Sequence, residues 1–204
     1  MKVSLRERLR WHWFYKVKLP RYLRRIRPGD VVIDAGANVG VYTLEFARRG
    51  AEVYAFEPHP DAFAQLRLAA RDLPNVTCIA KAVWDRNGKA DLYFHAEGRG
   101  LPWSHSASLI AAKDNVDAAS FAGVETVRLA DFIAGVGRVR FLKMDIEGAE
   151  YAVLRDLIES GHHREVERIA VETHERSPAL QEEHRALLRL LRRHRVRNVD
   201  LGWI

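Results

Sequence analysis

Four chemically capable side chains stand where apolar runs stop. Asp34 follows Val31-Val32-Ile33, Glu57 closes Glu52–Glu57, Asp145 follows the run from Val139, and His174 follows Val166–Thr173. The first opens the loop Asp34-Ala35-Gly36-Ala37-Asn38-Val39-Gly40. Gly36 admits backbone angles closed to other residues and puts no side chain between the chain and a ligand. Gly40 lets the next helix pack closely, and the free amides at that helix start favour a polar or anionic group. Asp34, Gly36, Ala37, Asn38 and Gly40 are therefore read as a cradle for the polar end of a ligand. Glu57 lies 21 positions beyond Gly36. An acid about 20 residues after a glycine loop is placed to hold a ribose diol, because a carboxylate accepts two hydroxyl hydrogen bonds at once.

A glycine loop with a diol-holding acid implies an adenosine-containing cofactor, either a dinucleotide or S-adenosylmethionine. The dinucleotide pattern needs three closely set glycines, whereas here two stand four apart with Asp34 ahead of them. An acid at the loop would repel a pyrophosphate and attract a sulfonium with a free amino group, which favours S-adenosylmethionine. There is no Gly-x4-Gly-Lys-Ser/Thr stretch for a nucleotide P-loop.

Lys143-Met144-Asp145-Ile146-Glu147-Gly148-Ala149-Glu150 places three acids in six positions. Asp145 could orient a ligand amino group, position an acceptor hydroxyl, or bind a divalent metal such as Mg2+ together with Glu147. Glu147 and Glu150 also suit a helix start, where the dipole favours acids. His174, near neutral pKa, is a candidate general base. No His-x-x-x-His pattern or Cys/His pair adds a metal signature.

The elements that must position these residues alternate. Strands are expected at Val31–Asp34, Glu52–Glu57, Asn75–Val83, Val139–Ile146 and Val166–Thr173, with helices at Val39–Arg49, Pro60–Leu73, Gly148–Ser160 and Pro178–His194. Asn87-Gly88 predicts a hairpin that returns Lys89–Phe94 against the third strand. Thr126–Leu129 reads as a short strand, Ala130–Ala134 as a helical turn and Val196–Ile204 as a terminal strand. Residues 95–125 read as irregular, and a loop this long is often a lid or binding loop. The alternation implies an α/β, doubly wound, mostly parallel Rossmann-like sheet with helices on both faces. Such a sheet gathers its strand carboxyl ends, and with them Asp34, Glu57, Asp145 and His174, at one ligand-binding edge.

The chain has 204 residues, enough for one sizeable core. Its one cysteine, Cys78, permits no intrachain disulfide. No stretch reaches the ~20 apolar residues of a membrane span, and no secretory leader pattern opens the sequence. A cytoplasmic location is expected. Charge is uneven: residues 1–27 hold ten Lys/Arg against Glu7, so this segment carries +9 and the remainder −3 of the net +6. Residues 1–27 are read as a basic, aromatic arm and 28–204 as the catalytic domain. The arm's partners are an anionic membrane surface reached by its tryptophans, nucleic acid, or a dimer mate.

The ordered set Asp34–Gly40, Phe56–Pro60, Lys81–Gly88, Ser106–Ser108, Thr126–Phe132, Lys143–Glu150 and Val171–His174 resembles the FkbM family of S-adenosylmethionine-dependent methyltransferases, over about residues 31–175. The resemblance implies a class I methyltransferase sheet and O-methylation of natural products, sugars or lipids. It implies that Asp34, Gly36, Asn38 and Gly40 line the methionine end of the cofactor and that Glu57 holds the ribose. It places Ala82 and Val83 beside the adenine, and Asp145 and Glu147 at the reaction centre. Two departures stand out. The family's Leu-Asp-Asp-Phe is Leu129-Ala130-Asp131-Phe132 here, and only ten residues follow His194, too few for the usual antiparallel strand pair. The expected function is methylation of a hydroxyl on a small molecule, sugar or lipid-linked glycan, with the 95–108 loop closing over the acceptor. The alternatives are an RNA methyltransferase using the arm and a non-catalytic scaffold that retains the fold.

Overall fold

The computed structural model describes residues 5–204, with side-chain surroundings from residue 8 onward. Strands β1 (Val31–Ala35), β2 (Glu52–Phe56) and β3 (Val76–Ile79) run outward in chain order from the middle of a sheet. The chain then leaves this sheet for β4 (Ala82–Trp84), β5 (Gly88–His95) and β6 (Val116–Arg128). It returns as β7 (Val139–Met144), β8 (Val166–Val171) and β9 (Val199–Asp200) on the other side of β1. The six-stranded order is β3-β2-β1-β7-β8-β9, and every pairing in it is parallel. Strand order reverses between β1 and β7, where Asp34 is in register with Lys143 and Ala35 with Met144. A ligand crevice is expected beyond the carboxyl ends at that point.

Period-two alternation sends neighbouring residues to opposite faces. Ile33, Leu142 and Ile169 enter one core with Leu129, Ile133, Leu154 and Leu157, which come from helices α5 (Leu129–Val136) and α6 (Glu150–Glu159). Val32, Phe141 and Ala170 enter the opposite core with Phe46, from helix α3 (Val41–Ala47), and Trp203. That second face is covered in large part by the N-terminal segment. Helix α1 (Leu5–Trp13) runs through a π-helical turn, Phe14–Lys18, into α2 (Leu19–Leu23). Phe14, Leu19, Tyr22, Leu23 and Ile26 are buried in this core. Trp203 is fully buried among Phe14, Tyr22 and Tyr42 at 4.9–5.7 Å between ring centroids. Asp200 accepts from Lys18 Nζ at 2.8 Å and from Tyr22 Oη at 2.5 Å. No packing boundary falls at residue 27: the arm from Phe14 on is the missing helical layer of the domain. No helix among the described residues is long and apolar enough to cross a membrane.

Several local expectations are corrected. Asn75–Val83 is not one strand; it breaks after Ile79, where Lys81 N–H turns back to Ile79 O, and β4 joins another sheet. The Asn87-Gly88 hairpin does not form between β4 and β5. Both strands flank β6, β4 parallel and β5 antiparallel to it. The Asn87 side chain instead accepts from Arg128 N–H at 2.9 Å and donates to Asp131 at 2.8 Å. Residues 116–125 are strand rather than loop. Most of β6 is exposed or only half-buried, so it needs no apolar run to announce itself. The terminal strand is only Val199–Asp200 and pairs parallel with β8. An antiparallel return is therefore absent among the described residues. Ala130 is fully buried, and Asp131 ties down Arg128 and Asn87, so neither side of the altered Leu-Ala-Asp-Phe motif reaches the crevice.

Candidate active site

Beyond β1 and β7 lies a partly open cavity. Gly36, Asn38, Glu57, Ala82, Val83, Asp145 and Glu147 line it, together with the apolar walls Phe56, Leu92, Leu109 and Ile146. The fold brings these seven positions together around one cavity. Asp34, Ala37 and Gly40, placed in the same set, do not line the cavity and act behind it.

Gly36 sits at φ +78°, and a Cβ there would lie 1.7 Å from the Asp145 carbonyl oxygen. The β1 and β7 loops can touch only because this position is glycine. Gly40, at φ +92°, would carry a Cβ 2.9 Å from Leu66 Cδ1 on α4 (Pro60–Ala70). It therefore admits the neighbouring helix rather than a ligand. Asp34 is buried: its Oδ2 accepts from Thr43 Oγ1 at 2.7 Å, and Lys143 Nζ lies 3.2 Å from its Oδ1. Lys143 Nζ also donates to Gly36 O at 2.5 Å and stands 3.8 Å from Asp145. Burial works against the Lys143 charge, but Asp34 and Asp145 overcome it and raise its pKa. The argument that Asp34 itself attracts a sulfonium is thereby overturned, because Lys143 already neutralises that carboxylate inside the protein.

Glu57 is held for its task by backbone. Its Oε2 accepts from Asn38 N–H and its Oε1 from His59 N–H, both at 2.8 Å. One lone pair on each oxygen remains for a ligand. Burial pushes this carboxyl up to about 7, against the pull of the two N–H donors. Asn38 adopts φ +48°, and its Oδ1 accepts from Ser104 Oγ at 3.3 Å. Ser104 lies in a 3-10 turn, Leu101–Ser106, that roofs the cavity. His59 Nε2 lies 2.9 Å from Arg99 O and pins the same segment. The 95–108 loop thus covers this cavity first, and of its residues only Ser106 reaches the cleft beyond.

That neighbouring cleft, larger and more open, shares Glu147 with the cavity and is lined by His174, Glu172 and Thr173. Glu147 takes φ +56°, a strained conformation for a non-glycine residue. Ser108 Oγ holds it by donating to the Glu147 carbonyl at 2.6 Å, and Lys113 ion-pairs with its carboxylate. Glu150, which the sequence suggests as a helix-start acid, belongs to this cluster as well. It is fully buried, accepts from Gly148 N–H at 2.8 Å, and lies 3.0 Å from His174 Nδ1. His174 Nε2 faces Glu147 at 3.3 Å. Burial opposes charge on this ring, but the two carboxylates dominate and lift His174 to about 11. His174 is therefore an imidazolium at neutral pH, and in this geometry it can donate a proton but cannot accept one. The expected base role does not fit it. Glu172 is a residue the sequence reading passed over: burial, reinforced by the Asp145 charge, lifts its carboxyl to about 7.

Asp145, Glu147 and His174 each offer one ligand atom within 4.8 Å of the others. By donor type the set suits a divalent cation. As placed, however, Lys113 and His174 compensate Glu147, and Lys143 stands beside Asp145, so a cation would have to displace existing partners.

The chain is similar to known methyltransferases. Residues 34–197 match the model of the Methyltransferase FkbM domain. The chain is 31% identical over 203 residues to the 31-O-demethyl-FK506 methyltransferase FkbM of Streptomyces tacrolimicus, covering 85% of this chain and 76% of that protein. It is 30% identical over 139 residues to the 2-O-methyltransferase NoeI of Sinorhizobium fredii, covering 63% of this chain but only 57% of that one. Among solved structures, SMU.1697c, a putative methyltransferase from Streptococcus mutans in complex with SAH, superposes with a TM-score of 0.50 at 12% identity. That match covers 87% of this chain and 80% of the other and supports the class I α/β fold. With a matching domain that spans most of its length and carries the cavity-lining motifs, this chain belongs to the FkbM methyltransferase family.

Proposed function

We propose that the protein transfers a methyl group from S-adenosylmethionine to a hydroxyl of a sugar or other small molecule. The observation that carries this reading is the meeting of two spaces at the Asp145–Glu147 turn: a cavity with a diol-ready carboxylate, and a more open polar cleft. The cavity residues fit the cofactor by chemistry. Glu57 offers two free lone pairs for a ribose diol. Phe56, Ala82, Val83 and Leu92 offer an apolar slot for a base, and Gly36, Asn38 and Asp145 surround the end nearest the cleft. When bound, S-adenosylmethionine supplies a methyl group already activated by its sulfonium charge.

The chain's own groups then have two tasks. Holding the acceptor oxygen in line supplies much of the rate. Removing its proton needs a base, and two carboxylates at this boundary are the candidates: Glu172, lifted by burial to about 7, and Asp145, which burial also raises. Glu150 and Glu147 take up both ring N–H groups of His174 and hold it as a fixed positive charge beside the acceptor. Calorimetric titration with S-adenosylmethionine, with NAD as control, tests the cofactor assignment: heat from the former alone supports it, and heat from neither refutes it. Asp145→Ala is expected to lower turnover by roughly 100-fold or more while retaining cofactor binding; near-normal turnover would remove Asp145 from the mechanism.

A second role for the arm is favoured by one observation. Leu9, Trp13 and Val17, spaced by four, are all exposed beside Arg8, Lys16 and Arg21. This stripe suits peripheral contact with an anionic membrane, and co-sedimentation with phosphatidylserine vesicles at low and high salt tests it.

A further inference from the structure

The open cleft beside the reaction centre is closed on one side by the N-terminal helix: Arg10 and Trp11 line it together with Asn115, Glu172 and Thr173. We propose that α1 is a wall of the acceptor site, and that Trp11 and Arg10 receive a sugar ring whose hydroxyl is presented to Asp145. This rests on the methyl-transfer reading above.

Three observations converge. First, the Trp11 indole stacks on Tyr15 at 5.7 Å and 19°, yet the residue keeps 47% of its surface exposed where it borders the cleft. Tyr15 Oη is within 3.2 Å of Tyr42 Oη, which ties this part of the helix to the domain. The indole is thus a fixed apolar platform in an otherwise polar cleft. A sugar has matching character, with an apolar C–H face and hydroxyl edges. Second, Asn115 Oδ1 is buried in the protein without a hydrogen-bond partner among the described residues. A buried, unpaired acceptor is costly, and a ligand hydroxyl would relieve it. Third, the charges lining the cleft balance. Asp114, Glu147, Glu172 and Glu175 oppose Arg10, Lys113, His174 and Arg176. A balanced wall does not select a polyanion such as RNA, which binds through concentrated positive charge. It does suit a polyhydroxylated ligand, whose hydroxyls both donate to carboxylates and accept from guanidinium groups. Among the described basic residues of the arm, Arg10 alone lines the cleft, so the arm's charge and its active-site role are separable.

The test uses the full chain and ligand-observed saturation-transfer NMR with a panel of methyl glycosides of neutral, deoxy and acidic hexoses, against phenol and cyclohexanol. It is run with and without S-adenosylhomocysteine. At least one glycoside is expected to bind, and neither simple alcohol. Trp11→Ala is expected to weaken that binding about tenfold, corresponding to the ~1.4 kcal/mol of a stacked ring. Trp11→Phe is expected to restore most of it, and Trp13→Ala, which removes an exposed tryptophan outside the cleft, to leave it unchanged. No glycoside binding in the wild type, or equal binding in Trp11→Ala, would overturn the proposal. Absence of S-adenosylhomocysteine binding with glycoside binding retained would instead count against the methyl-transfer reading alone.

Discussion

Lys143→Met isolates the electrostatic centre of this fold. Lys143 and Asp34 are 2% and 1% exposed, with Nζ and Oδ1 3.2 Å apart. Removing the ammonium leaves Asp34 a buried carboxylate with only the Thr43 hydroxyl donating to it. Breaking one side of a buried pair costs about 3–5 kcal/mol, a large share of the roughly 5–15 kcal/mol that holds an ordinary domain together. The double variant Asp34→Asn/Lys143→Met removes both charges, keeps an oxygen for Thr43, and is expected to recover about 2 kcal/mol or more of that loss. Urea unfolding followed by far-ultraviolet circular dichroism measures both. The double variant is also expected to bind S-adenosylmethionine, because Asp34 lies behind the cavity rather than in its wall. Purely additive losses would show that the two residues do not form a working pair. Loss of cofactor binding in a well-folded double variant would return Asp34 to the ligand side and refute the present reading.

Two further outcomes are expected. Glu57 is raised to about 7 by burial, and a diol hydrogen-bonds best to its ionised form. Binding of S-adenosylmethionine should therefore release a proton and weaken as pH falls below about 7. Titrations in buffers of different ionisation enthalpy check this, and pH-independent binding between 5.5 and 8 would contradict it. The same raised pKa means that the folded state holds the Glu57 proton more tightly than the unfolded chain. Its contribution to stability is therefore greatest below the unfolded value and declines as pH rises toward 7. Trp203→Ala empties the centre of the aromatic cluster that seats the N-terminal helices and should cost about 3–5 kcal/mol. It should also speed tryptic cleavage at Arg21, Arg24 and Arg25, which an intact cleavage pattern would contradict.

Local backbone demands made much of the site legible. The Gly36 and Asn38 positions announce themselves because a tight strand-to-helix crossing needs left-handed angles, and both residues adopt them. Strand carboxyl ends were readable because buried parallel strands are unbroken apolar runs, and Glu57, Asp145 and His174 stand just past three of them. The second sheet was not readable in the same way. A half-exposed β6 carries no periodic signal, and the strong Asn87-Gly88 turn pattern was redirected by Asn87 contacts to residues 128 and 131, some forty positions on.

The amino-acid sequence by itself determined the family, the alternation of strand and helix, and that Glu57, Asp145 and Glu147 would gather at the crevice. These follow from residue periodicity and from short motifs whose backbone requirements are local. The tertiary structure alone decided the charge states and the boundaries. Asp34 is silenced by Lys143, 109 positions away. His174 is held as an imidazolium by two carboxylates. The arm becomes part of the core and of the cleft because Trp203, at the far end of the chain, gives it a seat. Each of these depends on which distant groups share a low-dielectric space, and that is a property of packing rather than of spacing along the chain.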